Sequence, residues 1–149
     1  MQLTNTTDYA IRIVCYLASE NKVITTAELS RELNIPASYI PKITKQLKEK
    51  KLLKRQRDRM EAICWKKRPE EISLMDVINC TESTMAISRC LEKDGYCSRN
   101  YSDCCKVHKV LLDLQNTYNN RLENVKIIRY YSNRDERMNI LVRFIVVIN

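Results

Sequence analysis

With 149 residues, 44% of them apolar, the chain suits one domain or one domain with an extension, and no apolar run reaches transmembrane length. Its net charge of +8 sits in the first half: residues 1–70 carry fifteen Lys/Arg against eight Asp/Glu, residues 71–149 eleven against ten. A single glycine, Gly95, excludes phosphate-cradling loops and dinucleotide fingerprints, and a single histidine, His108, argues against His-based triads and multi-His zinc enzymes.

In chain order, residues 6–19 read as an amphipathic helix capped by Thr6 or Thr7, with Asp8 in its first turn. Its apolar stripe is Ala10, Ile11, Val14, Leu17 and Ala18. Thr25-Thr26-Ala27-Glu28 matches a capping box, opening a helix that stops near Asn34. After the break Ile35-Pro36-Ala37-Ser38, with Ser38 as cap, a second helix is predicted over Tyr39–Lys50, Pro41 being tolerated in its first turn. Two short helices across a tight turn fit a helix-turn-helix. Residues 52–57 and 61–66 are predicted to pair as a hairpin with Asp58, Arg59 and Met60 at its tip, which after such a helix is a wing. Ser73 caps a short helix with Asp76 at its third position, and Trp65 reads as packing at the base of the wing. Residues 90–105 are a cysteine-rich loop. From about Cys105 a long helix carries Val107, Val110, Leu111, Leu114, Tyr118, Leu122 and Val125 at spacings of three and four. That seam packs either on a second copy of the chain, the favoured expectation, or on the chain's own domain. Met138 to Ile148 is apolar and β-branched, predicting a strand or buried segment.

Nine basic residues fall between Lys42 and Arg59, opposed there by Glu49 and Asp58 alone. This density lies on the second helix and the wing, where a winged helix-turn-helix meets DNA. Ser38, Tyr39 and Lys42, at the start of the recognition helix, are the candidates for base edges in the major groove. Lys45, Lys48, Arg57 and Arg59 are the candidates for phosphate. On charge alone, a solvated basic face that only aids solubility is an equal reading; the coincidence of charge, turn and hairpin favours double-stranded DNA as the partner.

Seven cysteines are many for an intracellular chain, where thiols are more often metal ligands or redox sensors than disulfides. Cys15, Cys64 and Cys80 lie in apolar segments and read as buried thiols. The remainder form Cys90-x6-Cys97-x6-Cys104-Cys105-x2-His108, a thiolate-rich set with one imidazole that suits zinc or iron in a cluster. Cys105 and His108 are one helical turn apart, so both side chains can face one site. Free thiols and a thiol–disulfide pair are the alternatives.

These residues resemble a known family. Asp8-Tyr9-Ala10-Ile11-Arg12, Ile35 to Tyr39, Arg68 to Val77 (Arg-Pro-Glu-Glu-Ile-Ser-Leu-Met-Asp-Val) and Arg89-Cys90-Leu91 with the later cysteines and His108 are similar to the bacterial regulators of the Rrf-two family, of IscR, NsrR, RirA and CymR type. The resemblance spans residues 1 to about 125. It implies a winged-helix homodimer, swapped through its long helix, that binds palindromic operators and in many members carries a [2Fe–2S] or [4Fe–4S] cluster. Carried over by position, Cys90, Cys97 and Cys105 would be the cysteine ligands. His108, or Asp8 of the partner subunit, would complete the set. The chain departs from the family in two places. The family's usual spacing is Cys-x5-Cys-x5-Cys; here the intervals are longer and Cys104 is extra, so that Cys104 or Cys105 could ligate. The wing lacks the family's glycine pair, Arg59-Met60-Glu61-Ala62-Ile63 standing in its place.

The expected fold is therefore mainly α with a small β-hairpin wing: a winged helix-turn-helix over residues 1–80, a cysteine-rich sensor loop over 81–105, a dimerisation helix over 106–130 and a tail of unassigned role over 131–149. The expected function is a cytoplasmic, homodimeric transcription repressor sensing iron, redox state or nitric oxide through an iron–sulfur cluster, with no enzyme activity and no membrane partner. A cluster-free thiol-switch regulator is the first alternative, and a small iron–sulfur electron-transfer or carrier protein the second.

Overall fold

The computed structural model describes residues 2–56 and 62–127. Its elements are α1 (Asn5–Glu20), β1 (Ile24–Thr25), α2 (Thr26–Leu33), α3 (Ile40–Glu49), β2 (Leu53–Arg55), β3 (Ala62–Trp65), α4 (Leu74–Thr81) and α5 (Lys106–Asn124), with short 3-10 turns at Pro69–Glu71, Arg89–Leu91 and Ser102–Cys104. This is the mainly helical architecture expected, with one addition. The sheet has three strands in the order β1-β3-β2, all antiparallel, with Ile24 opposite Ile63 and Leu53 opposite Trp65. Two residues of β1 are too few to show a period in the sequence.

The helix boundaries follow their caps. Thr4, not Thr6 or Thr7, caps α1: it has the extended backbone of a cap, and its hydroxyl accepts the Thr7 N–H at 3.3 Å. Thr7 is wholly buried, its hydroxyl bonded to those of Thr4 and Thr81 and to the Glu82 carboxylate. At α2, Thr25 accepts the Glu28 N–H at 3.2 Å, but only half of the capping box forms, because the Glu28 carboxylate pairs with Lys22 at 3.0 Å. Ser38 does not cap α3. The chain is already wound before that helix, with the Tyr39 N–H donated to the Pro36 carbonyl at 2.9 Å, and the cap residue is Tyr39. At α4 the full box is present: Ser73 Oγ accepts from Asp76 N at 3.1 Å and Asp76 Oδ2 from Ser73 N at 2.9 Å.

With one glycine in the chain, asparagine takes the left-handed position at helix ends. Asn21 (φ 45°) closes α1 and Asn34 (φ 51°) closes α2, where Ile35 N–H reaches back to the Ser30 carbonyl. Lys51 (φ 61°) does the same after α3, without the local hydrogen bonding that eases asparagine into this region.

The core joins all of these. Ile13, Val14 and Leu17 of α1, Leu29 of α2, Ile40, Ile43 and Leu47 of α3, Leu53 and Ile63 of the sheet, and Val77 and Ile78 of α4 are all essentially inaccessible. Each contributes roughly 1.5–3 kcal/mol of burial. Trp65 closes the base of the hairpin, its indole N–H donated to the Leu17 carbonyl at 3.3 Å. After α5 the chain returns to the core: Val125 O accepts from Leu74 N at 2.9 Å, Ile127 N donates to Ile72 O at 3.0 Å, and Ile127 is buried. The predicted strand at Met138–Ile148 and the hairpin tip at 57–61 lie outside the described residues.

Candidate nucleic-acid interface and cysteine centre

α3 follows α2 across the turn 34–39 and buries Ile40, Ile43 and Leu47, which leaves Ser38, Tyr39, Lys42 and Lys45 exposed at its front and Lys48 half-buried along its side. Lys45 reaches Glu49 at 3.9 Å. Lys50, Lys51, Lys54 and Arg55 extend the exposed basic surface from the end of α3 into β2. A cleft of about 560 Å³ separates the start of α2 from α3 and the hairpin. Lys48 and Arg55 are its cations, with Ala27, Pro41, Ala62 and Ile63 among its apolar lining. Arg57 and Arg59 lie outside the described residues.

Tyr39 is tied to α1. Its ring meets that of Tyr9 edge-on, centroids 5.4 Å apart, and the Arg12 guanidinium lies 5.6 Å from the Tyr9 centroid. Arg12 in turn pairs with Asp8 at 2.6 Å. Asp8 thus engages a cation of its own helix, one turn along.

The cysteine segment is assembled against the first half of α5. Cys105 is the N-cap of α5, its sulfur accepting the His108 N–H at 3.4 Å. The His108 ring lies across from Cys90, Nδ1 to Sγ 3.3 Å, and Ser88 Oγ is 3.5 Å from the same sulfur. His108 therefore touches both cysteines, Cys105 through its backbone N–H and Cys90 through its ring. Cys97 is half-buried in the following loop, and Cys104 is exposed. Among the described residues no group of three or more His, Cys, Asp or Glu side chains is compact enough to hold a metal ion. The donor types suit a soft metal or an iron–sulfur cluster, and full coordination requires the segment 91–104 to close further.

Two other cysteines are unsuited to this chemistry. Burial pushes the Cys15 thiol up to about 12 and the Cys80 thiol up to about 11, so both stay protonated and inert. Cys64, on β3, is half-buried, with its sulfur near Gln56 Oε1 at 3.5 Å.

Sequence reasoning missed three parts of this region. Gln115 is buried on α5 and accepts the Ile87 N–H at 2.8 Å; its signal was a polar residue inside the stripe, four after Leu111 and three before Tyr118. Arg89 forms a two-pronged ion pair with Asp94 and stacks 5.2 Å from the Tyr96 centroid, closing the loop that leads to Cys97. That pairing holds the Asp94 carboxyl down at about 2. Glu82 receives hydrogen bonds from Thr4 N, Thr4 Oγ1 and Thr7 Oγ1, locking the start of α1 to the end of α4. Burial pushes the Glu82 carboxyl up, but those donors outweigh it and leave its pKa below the ordinary value.

The seam of α5 divides. Leu111, Tyr118, Leu122 and Val125 are partly covered by the chain itself, whereas Val107, Val110 and Leu114 are 64%, 59% and 53% exposed. Among the described residues no helix is long and apolar enough to cross a membrane.

Residues 3–131 match the family model Rrf2, described as an iron-dependent transcriptional regulator. The HTH-type transcriptional regulator NsrR of Halalkalibacterium halodurans is 29% identical over 139 residues, covering 91% of this chain and 94% of that protein. Among solved structures, the B. subtilis CymR (YrzC) global cysteine regulator superposes with a TM-score of 0.71 at 14% identity, over 91% of this chain and 99% of that one. The T. potens IscR does so with 0.69 at 11% identity, over 93% and 92%.

Proposed function

The chain belongs to the Rrf2 family of transcription regulators, and from that premise we propose that it is a homodimeric repressor of palindromic DNA operators whose affinity is set by an iron–sulfur cluster. The observation that carries the proposal is the contact of Cys90 with the His108 ring, beside the Cys105 cap of α5, in a chain whose α3 and β2 present an exposed basic surface.

On DNA, Ser38, Tyr39 and Lys42 face base edges from the front of α3. Lys45 and Lys48, with Arg57 and Arg59 of the hairpin, take phosphates and so orient the protein without reading sequence. Val107, Val110 and Leu114 give α5 an apolar face for a second copy of the chain. At the sensor, Cys90, Cys97 and Cys105 supply thiolates, with Cys104 as substitute for its neighbour. His108, or Asp8 of the partner subunit, completes the set. Asp8 is held by Arg12, so its recruitment would break that ion pair and free Arg12 against the Tyr9–Tyr39 stack at the head of α3. A bound cluster would supply iron that reacts with oxidants and nitric oxide.

The deciding experiment is the visible spectrum with iron and sulfide assays of protein purified without oxygen. The expected protein is brown and contains both elements. Replacing Cys90, Cys97 and Cys105 together by Ala should remove the absorbance and leave a folded protein; full iron and sulfide content in that triple variant sinks the proposal. A second reading is favoured by the Cys90–His108 contact itself, which exists without a compact metal-binding trio: a cluster-free regulator switched by disulfide or sulfenate chemistry. It predicts a colourless protein, refractory to reconstitution, whose operator affinity depends on thiol reductant.

A further inference from the structure

Gln115 is 7% exposed, in the middle of a helix whose other described positions are open or only partly covered. Both ends of its amide are used. Oε1 accepts the Ile87 N–H at 2.8 Å, and Nε2 donates to Asn119 Oδ1, also at 2.8 Å, which fixes the direction of the amide. Ile87 lies three residues before Cys90, and Gln115 lies seven residues after His108. The two intervals match. Seven helical residues rise about 10.5 Å and fall on nearly the same face. Three residues of chain reach at most about 10 Å, and here Ser88 is extended (φ −148°, ψ 151°) before the 3-10 turn begins at Arg89. That turn, Arg89–Leu91, presents the Cys90 sulfur 3.3 Å from His108 Nδ1.

We propose that Gln115 is a positioning residue that sets the register of the cysteine segment on α5, so that Cys90 arrives opposite His108. Its part in loading a metal or cluster rests on the ligand reading above; its part in the register does not. Between Ile87 and Cys90 the backbone runs antiparallel to the helix, and the segment around it is held chiefly by hydrogen bonds of its own turns. Without the amide acceptor, the Ile87 N–H would be left facing an apolar stripe, and the segment could slide along it. A slip of one residue carries Cys90 about 3.3 Å along α5, enough to break the contact with His108.

The test uses the full chain, reduced and free of metal, and exploits His108 as the only histidine, whose imidazole proton resonances need no separation from others. Cys90→Ala marks the position of those resonances when the contact is lost. Gln115→Leu, nearly isosteric but without the acceptor, should reproduce that shift, and the double variant should move them no further. Gln115→Glu keeps an oxygen for Ile87 and should retain the native positions. Gln115→Asn, one methylene shorter, should shift them and also covers the case in which Gln115→Leu fails to fold by circular dichroism. Cobalt(II) titration then reads the ligand function: Gln115→Leu should weaken binding about tenfold, as loss of an orienting outer partner does, and Gln115→Glu should restore it. Unmoved His108 resonances in both folded Leu and Asn variants overturn the proposal, as does a Glu variant that behaves like Leu. Absence of cobalt binding in the unsubstituted chain counts against the ligand reading alone, and the resonances still decide the register.

Discussion

From Asn5 to Thr81 the helices and the sheet share one apolar core, whereas from Ser83 to Asn124 α5 buries a single residue among those described, and that residue is the polar Gln115. The first region is held by area removed from water, a force that has no direction and tolerates small shifts. The second adds directed contacts to the partial packing of Met85 and Leu122 on that core: Gln115 to Ile87, Thr84 to Glu92, Arg89 to Asp94 and Cys105 to His108. Such contacts define a geometry at small net stability, since each replaces a bond to water. A segment that must respond to a ligand belongs at this weaker end of the stability scale.

The largest test of that contrast is Leu47→Ala, in the fully buried face of α3. It should cost about 3 kcal/mol in urea unfolding, where Leu112→Ala on the open side of α5 should cost less than about 0.5 kcal/mol. Equal losses at the two sites would erase the distinction. Next is Glu82→Ala, which removes the shared acceptor of Thr4 N, Thr4 Oγ1 and Thr7 Oγ1 and should cost roughly 1 kcal/mol. The same residue predicts a pH dependence. Its folded pKa is depressed, so its stabilisation is present above the unfolded value of 4.5 and is lost as pH falls through the lower folded value. Melting temperatures of the parent should therefore fall on acidification across that window, and those of Glu82→Gln should fall less.

A change in association rather than in stability sharpens the account of α5. Leu114→Asp, at 53% exposure, should leave the fold intact and weaken self-association about tenfold, roughly 1.4 kcal/mol, as read by sedimentation. An unchanged association constant would separate the exposed apolar stripe from the dimer seam. The last expected effect is a gain: Lys51→Gly removes a side chain from a left-handed position and should stabilise by about 1 kcal/mol.

The two regions also differ in how far their sequence reveals them. Periodicity and caps located α2 and α3 to within a residue and the start of α4, because Leu29 and Leu33, and Ile40, Ile43 and Leu47, recur at helical spacing and Thr25 and Ser73 serve as caps. Thr4 escaped because three threonines compete for one cap, and the choice falls on Glu82, seventy-eight residues away. β1 escaped because a strand of two residues exists only through its partner Ile63. In the cysteine region, residue types suggested soft-metal donors, and of the expected neighbours Cys105 and His108 the structure shows a contact between the Cys105 sulfur and the His108 backbone N–H. The approach of Cys90 was not legible: Gln115 stands out as a polar residue inside the apolar stripe, but nothing in the sequence marks Ile87 as its partner. The Tyr9–Tyr39 contact is equally non-local, joining two helices through rings thirty residues apart.

Trp65 gives the molecule an optical gauge. It is the only tryptophan, and its indole N–H reaches the Leu17 carbonyl near the end of α1. Under excitation at wavelengths that the eight tyrosines do not absorb, the ultraviolet emission therefore originates at the joint between the hairpin and α1. If metal or cluster binding at the cysteine segment tilts α1, the colour and anisotropy of that emission should follow in a stopped-flow cell, with no label attached and no DNA present.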